Sequence, residues 1–283
     1  MEIFNDIEEK YIKTNDITLH TIVIGNGRPL ILLHGFPDFW YGWKGIIPQL
    51  KTKFKLIIPD MRGYNLSDKP KGIQKYKMKY LIDDIKGLIN ALNLERPYLA
   101  GHDWGGVVSW GFAEKYPELI RKLIILNAPH LKIFASLLQT NKAQQKASSY
   151  IFQFLKPGGE QFLFKDDFRW LKFAVFNGLQ NKNALNDFDK DQYMKAWSQP
   201  DAIISGVNYY KANVSFDDFT GFINVPTLVF HGMKDAALLP VILEGVERYV
   251  RDLKVLKIPN SSHWVMHEEP QLISTKILEF LEG

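Results

Sequence analysis

Three residues far apart in the chain, Asp103, Asp235 and His263, are the types needed to attack carbon, to orient a base and to activate water. Asp103 stands at the centre of LAGHDWGGVVSW, residues 99–110, where an apolar run ends in a glycine-rich turn ahead of a helix-like stretch. A serine at such a turn would serve acyl transfer once a base removed its proton. A carboxylate needs no such help, because its reference pKa of about 4 leaves it ionised near neutral pH. It can displace a leaving group from saturated carbon, and it becomes an alkyl ester in doing so. Water must then attack that ester, a task for a histidine oriented by a second carboxylate. Asp235 in HGMKDAALLP and His263 in PNSSHWVMHEEP each follow a strand-like run and suit those two tasks. Taken singly, each has a plainer reading: Asp103 as a helix N-cap, Asp235 as a turn residue, His263 as a buried, hydrogen-bonded histidine.

The elements that would position them are legible as short, apolar, β-branched runs. LHTIVIG (19–25), PLILLHG (29–35), KLIIPD (55–60), PYLAGHD (97–103) and KLIILNAP (122–129) suit buried strands. YLIDDIKGLINALNL (80–94) has Leu81, Ile85, Leu88, Ile89 and Leu92 at helical spacing, and WGGVVSWGFAEKY ends at Pro117. Strands alternating with helices predict an α/β architecture with a mostly parallel sheet covered on both faces. The rhythm breaks after Pro129: residues 131–213 read as helical and rich in aromatics, Tyr150, Phe154, Trp170, Tyr209 and Tyr210 among them. Strands resume with PTLVFHG (226–232) and LKVLKIP (253–259), and EPQLISTKILEFLEG closes the chain as a helix. The expected organisation is a core of residues 1–130 and 214–283 interrupted by a helical cap, 131–213. IGNGRP is expected to be a hairpin turn, not a phosphate loop, since no helix follows it.

Composition removes several classes of function. The formal charge of +4 over 283 residues is scattered, with no basic stripe interleaved with aromatics, so nucleic acid is not an expected partner. The lysine-rich KPKGIQKYKMK, 69–79, reads as a solvated connection and not a membrane patch. Without cysteine there is no disulfide, no thiolate metal site and no cysteine nucleophile. His20, His130 and His231 show no metal-ligand spacing, and no metal or cofactor is expected; His102 and His267 read as structural. The polar start MEIFNDIEEKYIK lacks a signal-peptide core, and no apolar run is long enough to span a bilayer, so a cytoplasmic protein is expected. The oligomeric state is not legible.

HGFPDFW at 34–40, DMRGYNLSDKP at 60–70, GHDWGG at 101–106 and the late Asp235 and His263 together resemble the α/β-hydrolase family over nearly the whole chain. The resemblance is to the branch with an aspartate nucleophile, the soluble-type epoxide hydrolases, with haloalkane and fluoroacetate dehalogenases as near relatives. It implies the α/β-hydrolase fold with an inserted helical cap. It also implies an oxyanion hole made by the backbone N–H groups of Phe36 and Trp104, the residue after the nucleophile. Two cap tyrosines that polarise the epoxide oxygen are matched by Tyr150, from its spacing to Pro157-Gly158, and by Tyr210. Adjacent Tyr209 points about 100° away on a helix, so only one of the pair can face a pocket, and Tyr210 is preferred. A small, apolar epoxide would lie against Phe36, Trp40 and Trp104.

The near relatives differ in the leaving group. Halide departs without a proton, whereas an epoxide oxygen needs an acid, so the tyrosines favour epoxides. A fluoroacetate dehalogenase should place arginines just after the nucleophile, where this chain has Trp104 and Val107. Haloalkane dehalogenase remains the alternative enzyme, and a ligand-binding protein that reuses the fold without turnover is the alternative outside enzymes.

Overall fold

The computed structural model describes residues 6–283, so the reading of the amino-terminal stretch lies partly outside the described residues. Eight strands form one sheet: β1 Glu8–Lys13, β2 Thr18–Ile24, β3 Arg28–Leu33, β4 Phe54–Pro59, β5 Tyr98–His102, β6 Leu123–Leu126, β7 Thr227–Gly232 and β8 Leu253–Ile258. Their order across the sheet is β1-β2-β4-β3-β5-β6-β7-β8. Pairing is parallel from β4 through β8 and antiparallel where β2 meets β1 and β4.

The apolar runs are explained by burial on two faces. Ile31, Leu33, Ile57, Leu99, Leu123 and Ile125 pack into one core, with Leu81, Ile85 and Leu88 of the helix Met78–Ala91 and Val108 of the helix Trp104–Lys115. Their neighbours Leu30, Leu32, Leu56, Ile58, Ala100, Ile124 and Leu126 point the other way, against Ile273, Ile277 and Phe280 of the helix Pro270–Glu282. Period-two side chains thus feed two cores at once, which requires every position of a central strand to be apolar. Removing one such side chain, as in Leu32→Ala, costs about 2–5 kcal/mol.

Two local expectations fail. EEKYIK was not read as a strand, yet it is the edge strand β1, in which only Ile12 is buried. Charge on an edge discourages pairing with another chain, and it also hides the strand from a search for apolar runs. IGNGRP is no hairpin: β2 and β3 flank β4 on opposite sides, so the turn carries the chain across β4.

Between β6 and β7 the chain is helical, with helices at Leu131–Thr140, Lys142–Ala147, Ser149–Leu155, Asp187–Trp197 and Ala202–Ala212. Asn186 closes a capping box with Asp189: its Oδ1 accepts from the Asp189 N–H at 3.0 Å, and its own N–H donates to Asp189 Oδ2 at 2.8 Å. This insertion is pinned to the core by buried polar contacts. Tyr209 donates to the Arg62 carbonyl at 2.7 Å, Trp197 Nε1 to the Pro37 carbonyl at 2.7 Å, and Tyr41 to Asp189 at 2.7 Å. Among the described residues, no helix is long and apolar enough to cross a membrane.

Candidate active site

Asp103 sits between β5 and the helix Trp104–Lys115, with φ 50° and ψ −123°. A non-glycine residue pays on the order of 1–3 kcal/mol for such a backbone, so the surroundings must hold it there. They do so by close approach. A Cβ at Gly105 would overlap the carbonyl oxygens of Leu33 and His34, and one at Gly35 would overlap the Asp103 carboxylate itself. The Phe36 N–H donates to Asp103 Oδ1 at 2.7 Å, and the N–H of Trp104 also bonds the carboxylate.

Asp103 Oδ2 lies 3.7 Å from Nε2 of His263. The other ring nitrogen, Nδ1, is 2.7 Å from Asp235 Oδ2. Asp235 is fully enclosed: its Oδ1 accepts from the N–H groups of Ala237 and Leu238, each at 2.9 Å. Its Oδ2 also accepts from Asn127 Nδ2 at 2.7 Å. The loop carrying His263 is fixed by Glu268, which accepts from the Ser262 N–H at 2.7 Å and its hydroxyl at 2.8 Å. Asp103, His263 and Asp235, expected as nucleophile, base and orienting acid, therefore meet beyond the carboxyl ends of β5, β7 and β8, where open α/β sheets gather their ligand-binding groups.

Burial and charge act in opposition on these groups. Burial alone would raise Asp235, but His263 beside it and the donors around it hold its pKa near 2. Burial alone would lower His263, but Asp235, then Asp103 and Asp38, raise it to about 9. Burial raises Asp103, against the pull of His263 and the two N–H donors.

Two cavities meet at this point. One, of about 360 Å³, is lined by Trp104, Val107, Phe134, Leu138 and Phe152. The other, of about 320 Å³, is lined by Phe36, Trp170, Phe173, His263 and Trp264. Both are lined by Asp103, Tyr150 and Tyr210. The two tyrosine rings lie 6.0 Å apart, and Tyr210 stands edge-on to Trp104 at 5.1 Å and to Phe36 at 5.8 Å. Burial and the Asp103 charge raise the pKa of both phenols, so they remain protonated. Tyr209 is buried on the Arg62 carbonyl, away from both cavities.

Trp40, expected against the substrate, lines neither of these two cavities. It opens the short turn Trp40–Trp43, gives its backbone N–H to Asp60 at 2.9 Å, and packs its ring edge-on to Tyr41 at 5.4 Å. That turn bends the chain down into the core immediately after HGFPDF, carrying the indole with it. His102 donates from Nε2 to the His263 carbonyl at 2.9 Å, and His267 pairs with the Tyr193 hydroxyl at 2.9 Å. Among the described residues, no cluster of three or more His, Cys, Asp or Glu side chains could hold a metal ion.

Sequence reasoning missed two residues. Asn127, with φ 39°, joins Asp235 to the Ser262 carbonyl; its only signal was an asparagine just past an apolar strand. Asp38 lies buried within HGFPDFW, accepting at Oδ1 from the Phe39 N–H at 2.8 Å and the Tyr193 hydroxyl at 2.9 Å. Its Oδ2 finds no partner among the described residues, and burial lifts its pKa to about 7.

Residues 28–270 match the family described as the alpha/beta hydrolase fold. The chain belongs to that family. The hydrolase is 38% identical over 97% of its length to the AB hydrolase superfamily protein YfhM of Bacillus subtilis, covering 98% of that protein. It is 33% identical over 96% of its length to human epoxide hydrolase 4, covering 77% of that protein. Among solved structures it resembles the Bacillus megaterium epoxide hydrolase, with a TM-score of 0.91 at 34% identity over 97% of this chain and all of that one. The hydrolase is an enzyme with the eight-stranded, mostly parallel sheet of its family, flanked by helices.

Proposed function

We propose that this hydrolase opens small, apolar epoxides to vicinal diols through an ester on Asp103. The relatives named epoxide hydrolase support the reaction class. The observation that carries it in this chain is the pair of protonated phenols, Tyr150 and Tyr210, sharing both cavities with the Asp103 carboxylate.

In this reading Oδ2 attacks a ring carbon while Oδ1 stays on the N–H groups of Phe36 and Trp104. The ring C–O bond breaks as Tyr150 and Tyr210 donate to the departing oxygen. His263 then takes a proton from water, which attacks the carboxyl carbon, and the oxyanion forms where Phe36 and Trp104 already point. The diol leaves with an oxygen that belonged to Asp103.

The charge balance supplies the timing. The negative charges of Asp103 and Asp235 both hold the proton on His263. Ester formation neutralises Asp103 and leaves a phenolate on the tyrosine that protonated the departing oxygen. The imidazolium thus loses one of its two nearest counter-charges, returns its proton to that phenolate and becomes the neutral base that water needs. Residues 131–213 serve as the cap over a core of 1–130 and 214–283, and Phe36 and Trp104 form the core-side wall for substrate. Haloalkane dehalogenation is less well supported, because halide leaves without a proton and would make no use of the two protonated phenols that line both cavities.

A single turnover with excess enzyme in heavy-oxygen water tests this reading. The first diol is expected to carry only light oxygen from Asp103; label in that diol would mean direct attack by water and would end the proposal.

A further inference from the structure

The amino-terminal ends of the parallel strands form the pole of the sheet opposite Asp103. Arg28 opens β3, Lys55 lies at the start of β4, Arg96 stands just before β5, and Arg121 and Lys122 lead into β6. Two adjoining clefts of about 350 Å³ each open there, and both are lined by Arg28 and Arg121. Lys55 and Glu95 add charged side chains to one, and Arg96, Lys122 and Glu282 to the other, which Gly283 also lines.

Five cations thus face two side-chain carboxylates, and Glu282 is drawn to Lys53 at 3.7 Å. Among the described residues, none of the five forms an ion pair, whereas Lys71, Lys75, Lys172, Lys190 and Lys276 each reach a carboxylate. Three of the five are nevertheless positioned. Arg28 Nη1 donates to the Tyr98 hydroxyl at 3.0 Å, with its guanidinium 5.7 Å from the centre of that ring. Lys122 donates to the Phe280 carbonyl at 2.7 Å, and Arg96 to the Ile120 carbonyl at 3.4 Å. These acceptors are neutral: they aim the head groups without cancelling their charge. Like charges held together by the fold repel one another, and a multivalent anion relieves that repulsion.

We infer that this double cleft binds a small polyanion of the polyphosphate class, with Arg28 and Arg121 on the shared wall engaging successive phosphate groups. Guanidinium forks suit phosphate oxygens in a way a lysine point charge does not. Tyr98 is buried beneath Arg28, so no aromatic face is offered for a stacked base, and a nucleic acid fits less well. Glu95 and Glu282 flank the clefts, which disfavours a flat anionic membrane. Ligand bound here does not reach the epoxide site, so the inference stands apart from the proposed reaction.

Calorimetric titration of the full chain with inorganic triphosphate tests the inference, with orthophosphate, ATP, phosphatidylglycerol vesicles and a short RNA duplex as parallel arms. Triphosphate and ATP are expected to bind one to one, more tightly than orthophosphate, and to weaken about tenfold or more between 50 and 200 mM salt. ATP bound more tightly than triphosphate would mark a nucleotide as the source; equal binding would mark the free polyphosphate. An Arg28→Gln/Arg121→Gln variant should lose at least about tenfold in affinity while keeping epoxide turnover. If losing the Arg28–Tyr98 bond unfolds that variant, Lys55→Gln/Arg121→Gln must show the loss, since neither side chain holds the fold together. No triphosphate binding, equal binding by the variants, or tighter binding of vesicles or RNA would each overturn the inference.

Discussion

The two walls of the candidate active site are built on opposite principles. The core wall works with charge. Asp103, His263 and Asp235 form a chain of 3.7 and 2.7 Å contacts, and the inner carboxylate has a donor on each oxygen. The wall from the inserted helices works with neutral groups: Tyr150 and Tyr210 sit among Phe154, Trp170 and each other, held mainly by ring packing. The difference teaches where precision is needed. A charged triad in a buried site must be fixed by backbone, because a misplaced charge there is costly. A phenol kept protonated by burial needs only to be packed in the right place.

The sharpest way to break the comparison is on the charged side. Asp103→Asn should lower kcat/KM by about 10⁴-fold or more, since among the described residues no other carboxylate lines both cavities; steady-state diol formation measures it. His263→Gln should stop the cycle half-way: intact-mass analysis should show substrate retained on Asp103, with little diol released. On the neutral side, Tyr150→Phe or Tyr210→Phe should each cost about 10²-fold in kcat, and the double variant more, with little change in thermal stability. A single variant that lost everything would mean that one tyrosine alone is the acid.

Asp38 sharpens the comparison with the smallest effect. Its folded pKa, about 7, lies above the ordinary 3.8, so the folded state holds this proton more tightly than the unfolded chain. The resulting penalty is absent below about pH 4, grows from there to pH 7, and is complete above it. Asp38→Asn should therefore gain stability of about 1–3 kcal/mol at pH 8 and none near pH 4, read by urea denaturation. Its loss also removes a negative charge that raises His263, so the pH at which His263 becomes neutral should fall. His263 runs the other way: raised to about 9, its contribution to stability is complete below about pH 6.5 and is lost as pH climbs through 9.

Much of this was legible in the sequence because the core is repetitive physics. Leu30-Ile31-Leu32-Leu33 and Leu123-Ile124-Ile125-Leu126 announce strands buried on both faces, and GHDWGG and HGFP carry backbone demands that few residues meet. What stayed hidden depends on distance in space. Asn127 and Asp235 are 108 positions apart, and nothing local to either asparagine or aspartate reveals their bond. Trp40 follows Phe36 by four residues in one motif, yet the intervening turn sends one ring to the cavity and the other to the core. β1 escaped notice because its charges serve the edge of the sheet and not its interior.

The contact between Gly35 and the Asp103 carboxylate has a consequence for anyone reshaping this enzyme. A library that varied the loop at Gly35 is expected to be dominated by members with Asp103 displaced, since a Cβ at 35 would overlap its Oδ1, the oxygen held by the Phe36 N–H. The helices between β6 and β7 carry no such prohibition at Phe134, Leu138 or Phe152, which line a cavity with Asp103. New substrate preferences are accessible by trading bulk there, with the chemistry beneath left as it is.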